Sequence, residues 1–514
     1  MSHTTNHSEA ADAATPSPRR WRALALLCIA YFMIIIDSQI VVLALPTIGA
    51  EFHLGSGGSS WVMSAYLLAF GGLLLLGGRT ADLLGGRRMF LVGTGLFLLA
   101  SIACGIAWTG PILIAARVIQ GAAAAIMAPT AMAVLMATFA EGPERNRAIG
   151  IWTGMGAFGA TAALLVGGTI TEGLGWEWIF FINAPLAGLV LVAGPRLLPE
   201  TAVGAGPRSL DLPGAITVTG FLVLLVLAVV SAPSAGWGSA RTLGLLAAAI
   251  VLLALFVVAE RRAKAPLVPL STLRNGQLIG GNLMTLFVCM SLYGGAYFMS
   301  VYAQEVLGFS PTLFGLSTAV YAVMSIAGSN LAGALTTRFG YQKVAVGGAV
   351  PLTVGLFLLS RVPVGGDYWT DLLPGMIVFG FGIGTTVVAS AIAALSNAKP
   401  DESGLASGIN NSVFQIGAAL GIALCTTVSI AATDTGAPDR RAGLNEGVQA
   451  AFGAAAVLAA GCLVVAIALT VRQARVRAGT KASDAGALPA VDPVDLPGPA
   501  SGRGENQGAQ RFRA

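Results

Sequence analysis

Runs of about twenty apolar residues dominate this chain, and that is the length an α-helix needs to cross a bilayer. Fourteen can be placed, near residues 22–45, 61–79, 89–108, 111–138, 148–170, 178–197, 211–231, 241–259, 278–304, 312–337, 343–361, 371–395, 404–430 and 447–471. In hydrocarbon a lone segment must satisfy its own backbone N–H and C=O groups, so helices are expected throughout. Composition agrees. Only 10% of the residues are charged and the mean hydropathy is +0.78, where a soluble domain carries about 25% charged residues. The expected fold class is an all-α polytopic membrane protein.

Charge placement orients the spans. Of the 29 Lys and Arg, 24 fall in the two tails and in one alternate set of connections. Four fall in the other set (Arg241, Arg361, Arg440, Arg441), and Arg117 lies inside a run. Excess Lys and Arg marks cytoplasmic loops, so both termini are expected in the cytoplasm. The pI near 9.1 is then a topology signal, and no nucleic-acid partner is expected.

Residues 1–20 read as a disordered cytoplasmic tail: Arg19, Arg20 and Arg22 precede the first run with no small-residue cleavage site. Residues 478–514, rich in Gly, Ala, Pro and Asp, read as a second disordered tail. The five cysteines all sit in apolar runs, and an odd count argues against a disulfide framework. The three histidines (His3, His7, His53) lie outside the runs, so no metal site is expected. No phosphate-binding Gly-x-x-x-x-Gly-Lys-Ser/Thr loop and no clustered His, Asp or Ser constellation is present, which argues against an enzyme and against nucleotide-driven transport.

The stretch IIIDSQIVVLALP (Ile34–Pro46) holds an acid in mid-span, Asp37. Such a charge costs about 2.5–3.5 kcal/mol on insertion scales and usually marks an ion pathway. Arg117 is the lone mid-span cation, so the two are expected to pair and to set a proton affinity. A purely structural Arg117, bonded to backbone carbonyls, stays open. Trp61, Tyr66, Gln120, Tyr293, Tyr297, Asn330, Asn410, Asn411 and Gln415 are polar or amphipathic residues within runs and are expected to line a substrate cavity. Tyr293 and Tyr297, and Asn411 and Gln415, are four apart and share a helix face. Trp61 also fits the aromatic belt found at membrane edges. Aromatics with a few amides suit a bulky lipophilic ligand.

An internal repeat organises the runs. GRTADLLGGRRMFLVG (Gly78–Gly93) aligns with GALTTRFGYQKVAVGG (Gly333–Gly348) at an offset of 255, pairing Gly78 with Gly333, Gly85 with Gly340 and Gly93 with Gly348. RAIGIWTGMGAFGA aligns with LASGINNSVFQIGA at an offset of 258, pairing Gly150 with Gly408 and Gly159 with Gly417. Parallel repeats of this kind place a substrate site between two halves. The expected organisation is a six-helix half over 21–200, a two-helix insert over 201–265 and a second six-helix half over 266–477. Gly78, Asp82, Gly85, Arg87 and Arg88 are expected to form a cytoplasmic gate at the first hairpin.

These segments resemble the major facilitator superfamily, in its fourteen-helix drug:proton antiporter branch. Gly78, Asp82, Gly85 and Arg87 match the loop between helices 2 and 3, with Leu83 and Gly86 replacing two arginines. Arg117, Gln120 and Gly121 match helix 4. Asp37 and Pro46 match helix 1, where Gln39 and Val42 depart. WEWIFFINAP (Trp176–Pro185) matches the entry to helix 6 with Glu177 in place of arginine, and ASGINNSVFQIGAALGIA matches helix 13. In helix 5, Ala163 and Leu164 replace a Gly-Pro before Gly167 and Gly168. Gly121, Gly154, Gly167 and Gly168 are expected at close helix contacts. The resemblance implies a secondary exporter of lipophilic drugs or antibiotics, cationic ones included, driven by proton antiport through alternating access. It implies the proton as coupling ion with no cofactor, monomeric function and a place in the bacterial cytoplasmic membrane. Proton-coupled uptake or symport of a small metabolite, and a non-transporting sensor, stay open on the residues alone.

Overall fold

The computed structural model describes residues 18–139, 143–200, 212–263, 276–396, 403–434, 436 and 439–486. Among them are helices and no strand: α1 (Pro18–Glu51), α2 (Ser56–Leu84), α3 (Gly86–Gly105), α4 (Gly110–Thr138), α5 (Pro143–Gly173), α6 (Trp178–Phe181), α7 (Asn183–Leu197), α8 (Leu212–Ala235), α9 (Ala240–Arg262), α10 (Gly276–Val301), α11 (Pro311–Phe339), α12 (Tyr341–Leu359), α13 (Leu373–Leu395), α14 (Ser403–Ala432) and α15 (Arg440–Gly486). Twelve helical spans among the described residues are long and apolar enough to cross a membrane, and Gly58–Leu74 and Pro213–Val229 are shorter apolar stretches of α2 and α8.

The described residues up to Thr470 form one compact unit and those from Val471 to Gly486 belong to another. α15 continues to Gly486, past residue 478, where composition suggested disorder. Ala, Arg, Gln and Lys between Arg472 and Lys481 are strong helix formers. At the other end α1 begins at Pro18, inside the expected tail, with proline in the first turn where its missing N–H costs nothing. Residues 1–17, 201–211, 264–275 and 487–514 lie outside the described residues.

The two hairpins of the repeat coincide residue for residue. α2 ends at Leu84 and α3 starts at Gly86; α11 ends at Phe339 and α12 starts at Tyr341, each 255 further on. The single residue between is Gly85 in one and Gly340 in the other, with φ 89° and 80°. Only glycine adopts such angles without strain. Packing repeats as well. Gly159 of α5 lies against Phe32 and Ile35 of α1, and Gly417 of α14 lies against Leu286 and Cys289 of α10.

Close helix approach uses Gly121, whose missing side chain makes room for the Tyr66 carbonyl of α2. Gly167 accommodates Ile40 of α1, and Gly168 accommodates the Pro311 backbone of α11. Gly154 does not belong with them. A Cβ there meets nothing within 4 Å among the described residues, so no close helix contact rests on it.

Proline placement joins the halves. Pro46 lacks the N–H that would bond the Val42 carbonyl in α1. That carbonyl instead accepts the Ser300 hydroxyl of α10 at 2.9 Å. Gln304, in a π-helical turn over Tyr302–Val306, donates to the Leu43 carbonyl at 3.2 Å and to Ser300 Oγ at 2.8 Å. Gly315 of α11 fits against the Leu164 carbonyl of α5 nearby in the same seam as Gly168 and Pro311. A second seam joins α2 to α14, with Gly71 against Gln415 and Ile416. α8 packs on both α2 and α14, and Thr219 donates its hydroxyl to the Gly72 carbonyl at 2.9 Å.

Candidate functional site

Asp37 faces the interior of the N-terminal half, and three side chains donate to it. Arg117 Nη1 lies 2.5 Å from Oδ2, Gln120 Nε2 lies 2.8 Å from Oδ1, and Asn183 Nδ2 lies 2.9 Å from Oδ1. Asp37 and Arg117 are both 0% exposed. Arg117 also donates from Nε to the Val62 carbonyl at 3.1 Å and from Nη1 to Gln120 Oε1 at 2.8 Å. Its guanidinium sits 4.2 Å from the centre of the Tyr66 ring and 5.7 Å from that of Phe180. Arg117 Nη2 has no hydrogen-bond acceptor among the described residues. Gln120 is held from behind by Ser101 Oγ at 2.8 Å, and Cys104 Sγ lies 3.5 Å from its Oε1.

Local sequence explains the convergence. Arg117 and Gln120 are three apart and share one face of α4. Gly121 beside them lets α2 approach closely enough to present the Val62 carbonyl and the Tyr66 ring. Tyr66 donates its hydroxyl to the Ile34 carbonyl at 3.3 Å, tying α2 to α1 one turn before Asp37. Asn183 opens α7, where the helical span is interrupted after Phe181. Pro185 lacks the N–H that would bond the Phe181 carbonyl, which accounts for the break. A buried charge pair of this kind offsets its desolvation only with such additional hydrogen bonds.

The other expected site residues are dispersed. Tyr66 and Gln120, expected to line a substrate cavity, are fully buried in the Asp37 cluster, on the faces they share with Val62 and Arg117. Trp61 is half-buried on the second turn of α2. Tyr293 is buried where the halves meet: its hydroxyl accepts Gln39 Nε2 at 3.1 Å, and its ring stands edge-on to Phe414. Tyr297 is buried and packs edge-on against Phe298. Asn410 donates to Asn282 Oδ1 at 3.2 Å and to Thr285 Oγ1 at 2.9 Å. Gln415 is half-buried at the α2–α14 seam. Asn411 and Asn330 are exposed, and each donates to its own helix, at Ser407 and Ile326.

At the hairpin, Gly85 makes the turn, and Gly78 faces Pro129, which a Cβ at position 78 would meet at 3.7 Å. Arg87 donates to the Pro195 carbonyl at 2.5 Å and lies 3.4 Å from Glu200, fastening the hairpin to the end of α7. Arg88 is exposed. The Asp82 side chain lies outside the described residues.

Sequence reasoning did not single out Asn183 or Ser101. Asn183 stood inside the quoted WEWIFFINAP. Tyr31 was missed too; it stacks on Trp152 with ring centres 3.8 Å apart. Among the described residues no group of His, Cys, Asp and Glu could hold a metal ion.

The sequence profile of the Major Facilitator Superfamily matches residues 27–422. The chain belongs to that superfamily. Within it, the chain is 38% identical over 428 residues to the puromycin resistance protein pur8 of Streptomyces alboniger, covering 83% of this chain and 85% of the relative. It is 33% identical over 456 residues to the tetracenomycin C resistance and export protein of Streptomyces glaucescens, covering 87% and 83%. It is 36% identical over 425 residues to the cephamycin export protein CmcT of Amycolatopsis lactamdurans, covering 81% and 86%. Among solved structures, a bacterial homologue of the human lysosomal transporter Spinster, inward-facing and occupied, aligns with a TM-score of 0.62 at 16% identity, covering 89% of this chain and 98% of that one. The POT family transporter PepTSo aligns with a TM-score of 0.63 at 14% identity, covering 88% and 98%. These two likenesses carry the fold alone. The Major Facilitator Superfamily chain is thus a multi-pass bacterial membrane protein, a transporter by family.

Proposed function

We propose that this protein exports a lipophilic antibiotic or drug, cationic ones included, in exchange for protons. The observation that carries the reading is the buried Asp37–Arg117 pair with its ring of donors. It is an ionisable site deep in a membrane span, where charge without function is selected against by its cost. The export direction is supported by relatives named for antibiotic resistance and export. Fourteen spans with both termini in the cytoplasm, a monomer and no cofactor complete the proposal; the charge asymmetry of the loops supports the topology.

Transport proceeds by rocking of the two halves. The contacts of Val42, Leu43, Leu164 and Gly168 with α10 and α11 gather toward the end of α1 away from its basic start. They support a state closed to the outside. The substrate cavity lies where Gln39, Tyr293, Phe414 and the Tyr31–Trp152 stack approach the boundary of the halves, an aromatic surface with a few amides.

The test has two parts. Cells with the intact gene are compared with a deletion strain for susceptibility to puromycin, lincomycin and ethidium. Everted vesicles are then loaded against an imposed pH gradient. Raised resistance with proton release on substrate uptake into everted vesicles supports the reading. Accumulation into right-side-out cells instead replaces export with uptake.

A further inference from the structure

We infer that Asn183 is the residue that lets Asp37 hold its proton, turning its side-chain amide so that it donates to the carboxylate and accepts from the carboxylic acid. This rests on the proton-coupled reading above. It concerns which group stabilises the loaded state, which that reading leaves unassigned.

The cluster as it stands suits only the charged form. All three partners of Asp37 are donors. When a proton arrives from a hydronium ion, an O–H bond forms on one carboxyl oxygen and water leaves. The cluster gains one positive charge. The new O–H then needs an acceptor inside a space that excludes water.

Gln120 cannot serve, because its four hydrogen-bonding positions are occupied. Its Nε2 donates to Asp37 and Ser101, and its Oε1 faces Arg117 Nη1 and Cys104 Sγ. Arg117 has no acceptor to give. Asn183 is different. Its Nδ2 makes one bond, to Asp37, and its Oδ1 is buried with no hydrogen-bond partner among the described residues. An unpartnered buried amide oxygen is uncommon and calls for an explanation. Half a turn of the amide exchanges Nδ2 and Oδ1 and brings that oxygen to the carboxyl. Asn183 sits at the start of α7, beside the interruption made by Pro185.

Arg117 keeps its charge in both states. The Val62 carbonyl, Gln120 Oε1 and the Tyr66 ring face it without help from Asp37. Loading therefore exchanges an ion pair for an acid–amide pair and leaves the guanidinium in place.

Infrared difference spectra between acidic and alkaline buffer, on the whole protein in liposomes without substrate, read both partners. The carboxylic acid of Asp37 gives a C=O band at low pH that is absent in Asp37→Asn. In wild type this band has the frequency of a hydrogen-bonded acid, and a side-chain amide band changes with it. In Asn183→Leu the acid band moves to the higher frequency of an unbonded acid and the amide change is lost. Asn183→Ser, which can donate and accept, returns the acid band toward the wild-type frequency. An acid band unchanged in Asn183→Leu, with fold preserved by circular dichroism, overturns the proposal. So does an Asn183→Ser spectrum identical to that of Asn183→Leu. A wild-type protein with no Asp37-dependent band at any pH ends the proton-coupled reading itself, and this one with it.

Discussion

The two halves of the repeat share a skeleton and differ in what they hold. Phe32 and Ile35 of α1 meet Gly159 as Leu286 and Cys289 of α10 meet Gly417, a register offset of 254 on the first helix of each half. That register sets Ser291 where the first half has Asp37. Ser291 is buried and satisfies itself on the Phe287 carbonyl at 2.8 Å. Helices α10, α13 and α14 contain no Asp, Glu, Lys or Arg at all. One step earlier in the register, Tyr31 stacks on Trp152 in the first half, and Thr285 accepts a hydrogen bond from Asn410 at the corresponding place in the second. Duplicated glycines keep the geometry, then, while unlike side chains divide the labour. The N-terminal half holds a buried charge pair on α1 and α4, and α10, α13 and α14 of the C-terminal half hold only neutral side chains.

The sharpest way to break that contrast is to remove one member of the pair. Arg117→Ala leaves Asp37 buried without its counter-ion and is expected to cost about 3–5 kcal/mol, read as a lower thermal midpoint of the purified protein. The double variant Asp37→Asn with Arg117→Leu should recover most of that stability and still move no substrate against a pH gradient. A wild-type midpoint for Arg117→Ala would mean that the halves do not differ in this way.

Next in size is a transplant. Ser291→Asp puts an acid on α10 with no cation to meet it, at about 2.5–3.5 kcal/mol on insertion scales, and expression in the membrane should fall. Combined with Asp37→Asn it should not restore efflux. Restored efflux would show that either half can carry the proton.

The shared skeleton predicts equal effects elsewhere. Gly85→Ala and Gly340→Ala each force a side chain onto positive φ, at about 1–3 kcal/mol, and their drops in thermal midpoint should match. Gly154→Ala should change stability by less than about 1 kcal/mol, toward the more stable side, since alanine favours helix and its Cβ meets open space. A loss of stability there would reveal a neighbour that the described residues do not show.

The legible part of this molecule was set by expensive or conformationally unusual residues. Asp37 and Arg117 stood out because charge in hydrocarbon is costly, and being alone in their signs they pointed to each other. Gly85 and Gly340 stood out through the offset of the repeat. The cavity was harder to read. A membrane helix is apolar all round, so periodicity does not tell an interior face from a lipid face. Asn330 and Asn411 illustrate this: each satisfies itself on its own helix, a role no spacing distinguishes from cavity lining. Gln120 was readable as a neighbour of Arg117, and its bond to Asp37 was not foreseen. Its three-residue spacing from Arg117 already placed it on the charged face. Asn183 is neutral and sits at a helix start, so only the fold brings it to Asp37.

The insert helix α8 bears on the mechanics of the whole cycle. It rests against both α2 and α14, and the Thr219 hydroxyl ties it to the Gly72 carbonyl of α2. When the seam between those helices widens, α8 cannot follow both. On the rocking proposed above, the bond to Gly72 holds α8 to α2, and its surface toward α14 slides like a bearing.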